Sequence, residues 1–182
     1  RDSIYAVDPS NGSKKEFYKE VQKTWVELDD MGSRIDFLPA GKGLIIKSDK
    51  DGWEQLYLHN MDGSLKNQIT SGNNWSTNIQ WIDTVKNIIY FTSRQQQSTR
   101  SDLYRVDFDG KNQTRLTFGD FTHSVELSPK GSYFTTRYSN AETPDRLALV
   151  SNKGKIIAEL GNTMGSAFND YALAKTEIIR IP

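Results

Sequence analysis

The feature that most constrains the fold is a strand-and-turn unit that recurs four times along the chain. Each copy is an alternating strand that ends in a glycine turn, and a second strand follows at once. The four turn glycines, spaced 51, 47 and 44 residues apart, are Gly12, Gly63, Gly110 and Gly154. Asn-Gly and Asp-Gly suit hairpins because the central residues of the turn must accept a positive φ. The chain is therefore a repeat of hairpins with a period in the forties.

A second hairpin lies between successive copies, at 36–48, 80–93 and 126–136. The strand segments 88–92 and 133–136 are apolar or aromatic on both faces, which is typical of strands buried on both sides. Two hairpins give four antiparallel strands in roughly 40–50 residues, the module of a β-propeller blade. We therefore predict an all-β fold, a partial β-propeller with about three complete four-stranded antiparallel blades and part of a fourth.

The repeat also predicts how the chain is divided. Residues 1–162 are expected to form the later half of a propeller, with residues 1–20 as the outer two strands of an incomplete blade and complete blades near 32–72, 73–119 and 120–162. A blade cannot bury both of its faces alone, so neighbouring blades must stack on it. Because the chain starts within a blade, we interpret it as a fragment. Residues 163–182, helical in composition at first and then strand-like, are predicted to be a connection.

Composition excludes several classes of function. The chain has 23 Lys and Arg against 23 Asp and Glu, and this balance argues against nucleic acid as a partner, because phosphate binding needs clustered positive charge. No apolar run approaches the roughly 18 residues that a membrane span requires. The absence of cysteine removes disulfides, thiol catalysis and Cys-zinc sites. We predict no cofactor.

Residues that could carry catalysis or bind a metal are few. The G-x-S-x-G motif of α/β-hydrolases is missing, and the two histidines are His59 and His123. Ser124 follows His123, but neighbours along a strand point to opposite faces, so both histidines are interpreted as structural. The acidic turns 49–52 and 107–110 lack the twelve-residue calcium pattern, so we predict no metal site.

The four tryptophans permit two interpretations. They could form a platform on which a ligand stacks, or they could pack within and between blades. We favour packing, because aromatic side chains dominate the cores of sheets. The four positions are Trp25, Trp53, Trp75 and Trp81.

The sequence resembles the N-terminal β-propeller region of the dipeptidyl peptidase IV family in a series of short motifs. These motifs occur in the family's order and spacing over about residues 20–162. This family belongs to the serine peptidases of the prolyl oligopeptidase type. Any one motif alone would be weak evidence for the family, but the ordered combination is specific. The motifs lie at 23–29, 48–58, 69–75, 89–93, 102–110, 115–119, 122–131 and 138–144.

The resemblance implies a hydrolase that removes dipeptides from peptide N-termini, with Pro or Ala as the preferred penultimate residue. In that family, an eight-bladed propeller caps an α/β-hydrolase domain that carries the catalytic triad, and an earlier paired-glutamate motif holds the substrate's amino group. Neither part matches any position of this chain, so we expect the segment alone to be non-catalytic. The implied partners are peptide substrates, the hydrolase domain of the same polypeptide and a possible homodimer. The implied location is periplasmic or secreted.

The resemblance also nominates one segment near the substrate cleft. In some family members, the segment that begins at Trp25 approaches the cleft, which makes Trp25, Glu27 and Asp29 the candidate cleft residues. The aromatic or Arg residues that those members use are replaced around Leu28 and Asp29. The expected function is to shape and gate the access of peptides to the hydrolase site. The alternative is a TolB-like or WD-like propeller that serves as a protein-interaction platform.

Overall fold

The computed structural model describes residues 1–23, 26, 34–172, 174, 176 and 179, and within them fourteen strands form four antiparallel sheets. The first sheet pairs β1 (Asp2–Val7) with β2 (Lys14–Glu20). The second contains β3 (Ile35–Phe37), β4 (Leu44–Ser48), β5 (Gln55–His59) and β6 (Leu65–Gln68). The third contains β7 (Asn78–Asp83), β8 (Ile88–Gln97), β9 (Arg100–Asp107) and β10 (Thr114–Arg115). The fourth contains β11 (Thr122–Leu127), β12 (Tyr133–Ser139), β13 (Arg146–Ser151) and β14 (Ile156–Asn162).

Strands pair in chain order in all four sheets. This meander arises because every connection within a sheet is a hairpin, so each strand lies beside its sequence neighbour. The predicted fold class is confirmed: the chain is all-β, with three four-stranded sheets and a two-stranded part of a fourth. The predicted domain bounds, 1–162 and 163–182, stay a prediction.

The C-terminal stretch is described in part. Of the residues with helical composition, 166–175, the described ones include a short 3₁₀ helix at Ser166–Asp170. Most of the strand-like stretch 177–181 lies outside the described residues. Within the described part of the chain, no helix has both the length and the apolar character to cross a bilayer.

Apolar cores lie between successive sheets. Between the first and second sheets lie Tyr18, Leu44 and Ile46. Between the second and third lies a larger cluster that includes Ile45, Leu56, Leu58, Ile89, Phe91, Tyr104 and Val106. Between the third and fourth lie Tyr90, Leu103, Leu116, Phe134, Tyr138, Ala148 and Val150. The sheets are therefore stacked in chain order, and each inner sheet is buried on both faces.

The repeated Leu-Tyr pair explains how one strand serves two cores. Leu103 contributes to the core shared with the fourth sheet, and its neighbour Tyr104 to the core shared with the second. Leu56 likewise contributes to the core shared with the third sheet, so the buried Tyr57 lies on the opposite face, toward the first sheet. In the second and third sheets, therefore, the leucine faces the following sheet and the tyrosine faces the preceding one.

The glycine turns make a second contact between sheets. A Cβ atom built on Gly110 would lie 2.9 Å from the carbonyl oxygen of Gln68, and one on Gly154 would lie 2.9 Å from that of Leu116. A Cβ on Gly63 would collide with the carbonyl oxygen of Phe17. Each turn therefore rests on the last strand of the preceding sheet, where only glycine fits.

Candidate functional site on the loop face

Connections between sheets and the β4–β5, β8–β9 and β12–β13 hairpin loops share one end of the stack, which we call the loop face. Hydrogen bonds join these connections to one another. The backbone nitrogen of Glu54 donates to the carbonyl of Asn74 (3.1 Å), and that of Arg94 donates to the carbonyl of Trp75 (2.8 Å). The loop face is therefore one continuous surface. Gln22, two residues after the end of β2, also reaches this face, because it donates to Asp49 in the β4–β5 loop.

A buried ion pair holds the two ends of the β2–β3 connection together. Arg34 donates through Nη2 to Oε2 of Glu20, through Nη1 to Asp2 Oδ2 (3.1 Å) and through Nε to the carbonyl of Lys47 (3.1 Å). Glu20 and Arg34 are both buried. A charge pair out of water is tolerated when hydrogen bonds satisfy its remaining atoms, as they do here.

Glu20 accepts further hydrogen bonds that keep it ionised. Its donors are the Tyr18 hydroxyl (2.8 Å), Gln22 Nε2 (2.6 Å) and the Ser48 hydroxyl (2.9 Å). Burial by itself would raise the pKa of Glu20, but these hydrogen bonds and the Arg34 charge outweigh it and hold the pKa below its ordinary value. Gln22 also donates to Asp49 Oδ1 (2.6 Å), so the cluster reaches the β4–β5 loop.

Two tryptophans are exposed on the loop face, contrary to the prediction that all four pack into blades. Trp75 is 55% exposed and Trp53 is 39% exposed, whereas Trp81 packs against Tyr90 with ring centroids 5.5 Å apart. The difference follows from position, since Trp81 lies within β7 while Trp53 and Trp75 lie beyond the strand ends. Trp25 lies outside the described residues. The loop face therefore offers apolar surface to a ligand.

A buried amide network fixes the backbone beside Trp75. Gln55 Oε1 accepts from Asn74 Nδ2 (2.6 Å) and from the Thr70 hydroxyl (2.7 Å). The Ser93 hydroxyl donates to Asn74 Oδ1 (3.2 Å). Since Asn74 is fully buried, its neighbour Trp75 stands on a rigid support rather than on a free loop.

A groove of about 580 Å³ lies farther along the loop face. Its lining includes the ion pair between Arg100 Nη1 and Asp120 Oδ1 (2.5 Å), and Asn140 Nδ2 donates to the carbonyl of Asp120 (3.2 Å). The groove is open to solvent. Its lining residues are Gln97, Thr99, Arg100, Asp120, Thr122, Ser139, Asn140, Ala141, Glu142 and Thr176.

Both histidines are buried among structural partners. His59 Nδ1 donates to the carbonyl of Gly63 (2.9 Å), and His123 Nε2 donates to that of Phe118 (2.9 Å). A carbonyl only accepts, so His123 carries its proton on Nε2 and accepts the Thr136 hydroxyl at Nδ1 (3.0 Å). Both ring nitrogens of His123 are thus occupied, whereas His59 Nε2 is buried without a hydrogen-bond partner among the described residues.

We expect the free energy of unfolding to fall as the pH is lowered from about 7.5 to 5.5. Burial lowers the pKa of both His59 and His123 in the folded chain, whereas histidines of the unfolded chain have ordinary pKa values near 6.5. As the pH falls, the unfolded chain therefore binds more protons than the folded chain, and the folded state loses stability. The loss is at most about 1.4 kcal/mol per pH unit for each histidine. Urea unfolding at several pH values measures it.

The matched control for this pH dependence is the double variant His59→Gln, His123→Gln. Its unfolding free energy should be nearly constant over the same range, because carboxylates titrate mainly at lower pH. A wild-type protein that became more stable as the pH fell would contradict the assignment.

The three candidate cleft residues, Trp25, Glu27 and Asp29, lie outside the described residues, and their assignment stays a prediction. Sequence reasoning missed the ion pair at the base of the same segment and the exposure of Trp53 and Trp75. A signal for the tryptophans was present, since 49–54 and 71–76 carry the Gly, Asn, Asp and Ser residues typical of loops.

Comparison with known proteins gives concordant results. The family model described as "Dipeptidyl peptidase IV (DPP IV) N-terminal region" matches residues 1–145. Dipeptidyl peptidase 4 of Arthroderma otae is 32% identical over 139 residues, which cover 74% of this chain and 18% of that protein. A probable dipeptidyl peptidase 4 of Aspergillus fumigatus is 29% identical over 151 residues, covering 79% of this chain and 20% of that protein.

The crystal structure of Porphyromonas gingivalis dipeptidyl peptidase 4 is similar to this chain in three dimensions. The TM-score is 0.75 and the sequence identity 26%, over 92% of this chain and 23% of that one. The chain thus spans about a fifth of the length of the curated relatives it matches.

Proposed function

Because this chain belongs to the dipeptidyl peptidase IV N-terminal-region family, we propose that it is the non-catalytic propeller part of a serine exopeptidase. In this role, it shapes and gates the access of peptides to a hydrolase site carried elsewhere in the polypeptide. The family match over residues 1–145 is the observation that carries the proposal. The match gives no comparable support to the alternative of a TolB-like or WD-like interaction platform. The proposed location is periplasmic or secreted.

The physics of the fold suits a gate. Stacked sheets with buried cores hold the loop face rigid, so the opening that it borders excludes folded proteins and admits extended peptides. Trp53 and Trp75 provide apolar faces against which a passing peptide would pack, and the predicted cleft residues Trp25, Glu27 and Asp29 belong to the neighbouring connection. Gln22, which precedes those residues in the sequence, donates to Asp49 in the β4–β5 loop.

The first test is enzymatic and asks whether this chain or another part of the polypeptide carries the hydrolase activity. The chain alone should not hydrolyse Ala-Pro-p-nitroanilide, and the complete reading frame should contain a G-x-S-x-G elbow downstream and should hydrolyse it. Hydrolysis by the chain alone would contradict a non-catalytic role. A reading frame without the elbow would contradict membership of a peptidase.

The second test concerns the gate itself, in the enzyme expressed from the complete reading frame. Trp75→Ala should raise KM for a decapeptide with proline at its second position roughly three- to tenfold, the loss of about 1 kcal/mol of aromatic packing. KM for Ala-Pro-p-nitroanilide should change little, since that substrate is too short to reach along the face. Val85→Ala is the matched control, because Val85 is exposed at the opposite end of the stack. An unchanged KM for the decapeptide would contradict a role for Trp75 in gating peptide access.

A further inference from the structure

Buried polar atoms without a hydrogen-bond partner are concentrated on one strand. Among the described residues, five buried side-chain nitrogen or oxygen atoms have no partner, and three of them belong to β9: Arg100 Nε, Asp102 Oδ2 and the Tyr104 hydroxyl. Alternate residues of a strand share one face, so these side chains lie on the side of β9 that carries Tyr104 into the core shared with the second sheet. Buried polar groups are normally bonded to protein or to ordered water, so this concentration calls for a physical cause.

One oxygen of the Asp102 carboxylate is fully bonded and the other is not. Oδ1 accepts from the Thr117 hydroxyl (2.7 Å) and from Arg115 Nε (2.9 Å), and Arg115 Nη2 lies 2.8 Å from the same oxygen. No described residue donates to Oδ2. Because the side chain is 0% exposed, bulk solvent does not reach this oxygen either. A buried acceptor without a donor costs free energy relative to the unfolded chain, where water bonds it.

The second sheet shows how the same position is satisfied elsewhere in the repeat. Gln55 is the equivalent of Asp102, since each precedes the Leu-Tyr pair and each accepts from a threonine hydroxyl, that of Thr70 in the case of Gln55 (2.7 Å). Gln55 Oε1 also accepts from Asn74 Nδ2 (2.6 Å), and Gln55 Nε2 donates to the carbonyl of Gly72 (2.7 Å). Both polar atoms of this side chain are therefore bonded within the protein.

The residue itself is the first difference in the third sheet. Asp102 is one methylene shorter than Gln55 and has no donor, so it cannot bond the carbonyl of Gly119, the equivalent of Gly72. Arg115 Nη2 donates to that carbonyl instead (2.6 Å). The carboxylate of Asp102 thus stops short of the place that the Gln55 amide fills in the second sheet.

The connection that follows is the second difference. Asn74 stands two residues after Gly72, and the residue two places after Gly119 is Phe121. The Phe121 ring packs against Tyr138, with centroids 5.0 Å apart, in the core shared with the fourth sheet. Phenylalanine supplies no donor, and its ring turns away toward that core. The two differences together leave room for a small ligand beside the unbonded carboxylate oxygen.

The charges around this carboxylate determine what kind of ligand fits. Asp102 is already paired with Arg115, and Arg100 is paired with Asp120. An ion would therefore bring an uncompensated charge into a buried site, which costs several kcal/mol of desolvation. The ligand has to be neutral, and it has to donate a hydrogen bond to Oδ2.

The Tyr104 hydroxyl provides the other side of the site. Its ring is held by stacking on Phe91, with centroids 5.4 Å apart. Burial raises the pKa of Tyr104, the Gln96 side chain opposes this rise, and the charge of Asp102 adds to it, so the hydroxyl lies within electrostatic reach of the carboxylate. A hydroxyl both donates and accepts, so it can bond the same ligand that donates to Oδ2.

We propose that one water molecule is bound between the second and third sheets, where it donates to Asp102 Oδ2 and accepts from the Tyr104 hydroxyl. Water is neutral, donates and accepts, and buried waters typically bond polar groups that have no protein partner. Asp102 pairs in register with Ser93, which donates to Asn74 beside the exposed Trp75. The bound water therefore extends the buried network that supports the loop face.

Oxygen-17 magnetic relaxation dispersion tests the proposal, because it counts the water molecules that stay bound while the protein tumbles. Asp102→Gln copies the second sheet: its longer amide should reach the Gly119 carbonyl and take the place of the water, so this variant should hold one long-lived water fewer than the wild-type chain. Asp120→Gln, at a side chain that is 88% exposed, is the matched control and should keep the wild-type number. Circular dichroism establishes that each variant is folded. Equal numbers in the wild-type and a folded Asp102→Gln chain would overturn the proposal.

Tyr104→Phe distinguishes a bonded hydroxyl from an unpaired one by the sign of its effect. If the hydroxyl donates to the water, its removal loses a hydrogen bond, and urea unfolding should show an unfolding equilibrium constant raised at least about threefold. Tyr133→Phe, at a side chain that is 48% exposed, is the control and should change the constant by less than about twofold. A Tyr104→Phe chain as stable as the wild-type chain, or more stable, would overturn the proposal, because removing an unpaired buried hydroxyl carries no loss.

A crystal structure of this chain, or of the enzyme expressed from the complete reading frame, locates the ligand. It should show a water oxygen within about 3.2 Å of both Asp102 Oδ2 and the Tyr104 hydroxyl. A direct contact between these two side chains, or another side chain bonded to Oδ2, would overturn the assignment.

Replacing NaCl by choline chloride at equal ionic strength tests whether the ligand is neutral. The Tm of the wild-type chain should stay the same, since water binding does not depend on the cation. A sodium-dependent rise in Tm that the Asp102→Gln variant lacks would identify a cation at this place and overturn the assignment of water.

Discussion

Arg34→Ala is expected to lower the free energy of unfolding by about 3–5 kcal/mol, the cost of leaving a buried charge without its partner. Arg34 joins three elements, since it donates to Glu20 on β2, to Asp2 on β1 and to the carbonyl of Lys47 on β4. Its removal leaves the Glu20 carboxylate buried between the first and second sheets. Urea unfolding followed by tryptophan fluorescence measures the change.

Arg100→Ala is the matched control for this substitution. Arg100 also forms an ion pair, with Asp120, but that aspartate side chain is 88% exposed, and pairs of this kind contribute only about 0–1 kcal/mol. The comparison separates the effect of burial from the effect of losing an arginine. Equal losses in the two variants would show that Arg34 does not act through a buried charge pair.

Gly63→Ala is expected to destabilise the chain by about 1–3 kcal/mol more than Gly12→Ala. Both glycines have a positive φ, 87° and 72°, so both variants carry the same strain of a left-handed backbone, about 1–2 kcal/mol. Only at Gly63 does the new methyl group collide with a neighbour, the carbonyl oxygen of Phe17. The excess therefore measures the contact between the first and second sheets.

Urea unfolding provides this measurement, with Gly12→Ala as the matched control because a Cβ at Gly12 meets nothing within 4 Å. Each variant adds one methyl group to the wild-type chain at an equivalent turn, so the unfolded states of the two variants are closely matched. Equal destabilisation by Gly63→Ala and Gly12→Ala would mean that the turn at Gly63 moves away freely and that the contact is not tight.

The sheets were predictable from the sequence because their determinants are local. Glycine turns mark the hairpins, and strands such as β8 alternate side chains between two cores, as in Ile89, Tyr90 and Phe91. The order of the sheets then follows from chain connectivity. A period in the forties with four strands leaves few other folds that bury both faces of each sheet.

The details of the loop face were less predictable because they depend on distant pairs. Glu20 and Arg34 pair across two sheets, and nothing in the local pattern of either residue indicates the partner. The tryptophans show the same limit: composition favoured packing for all of them, yet Trp75 is exposed because its neighbour Asn74 is the residue drawn into the buried network. Trp25, Glu27 and Asp29 were nominated from family resemblance, and their role stays a prediction.

The Leu-Tyr pair that faces two cores at once has a consequence for cooperativity. Each apolar core of the described chain is shared by two sheets, so the stability of each sheet depends on packing against the sheets beside it. The third sheet contributes to the two larger cores and gains stability from both neighbours. Local opening should therefore be least frequent in the third sheet, and its hairpin β8–β9 should be among the last described parts of the chain to exchange amide hydrogens with solvent.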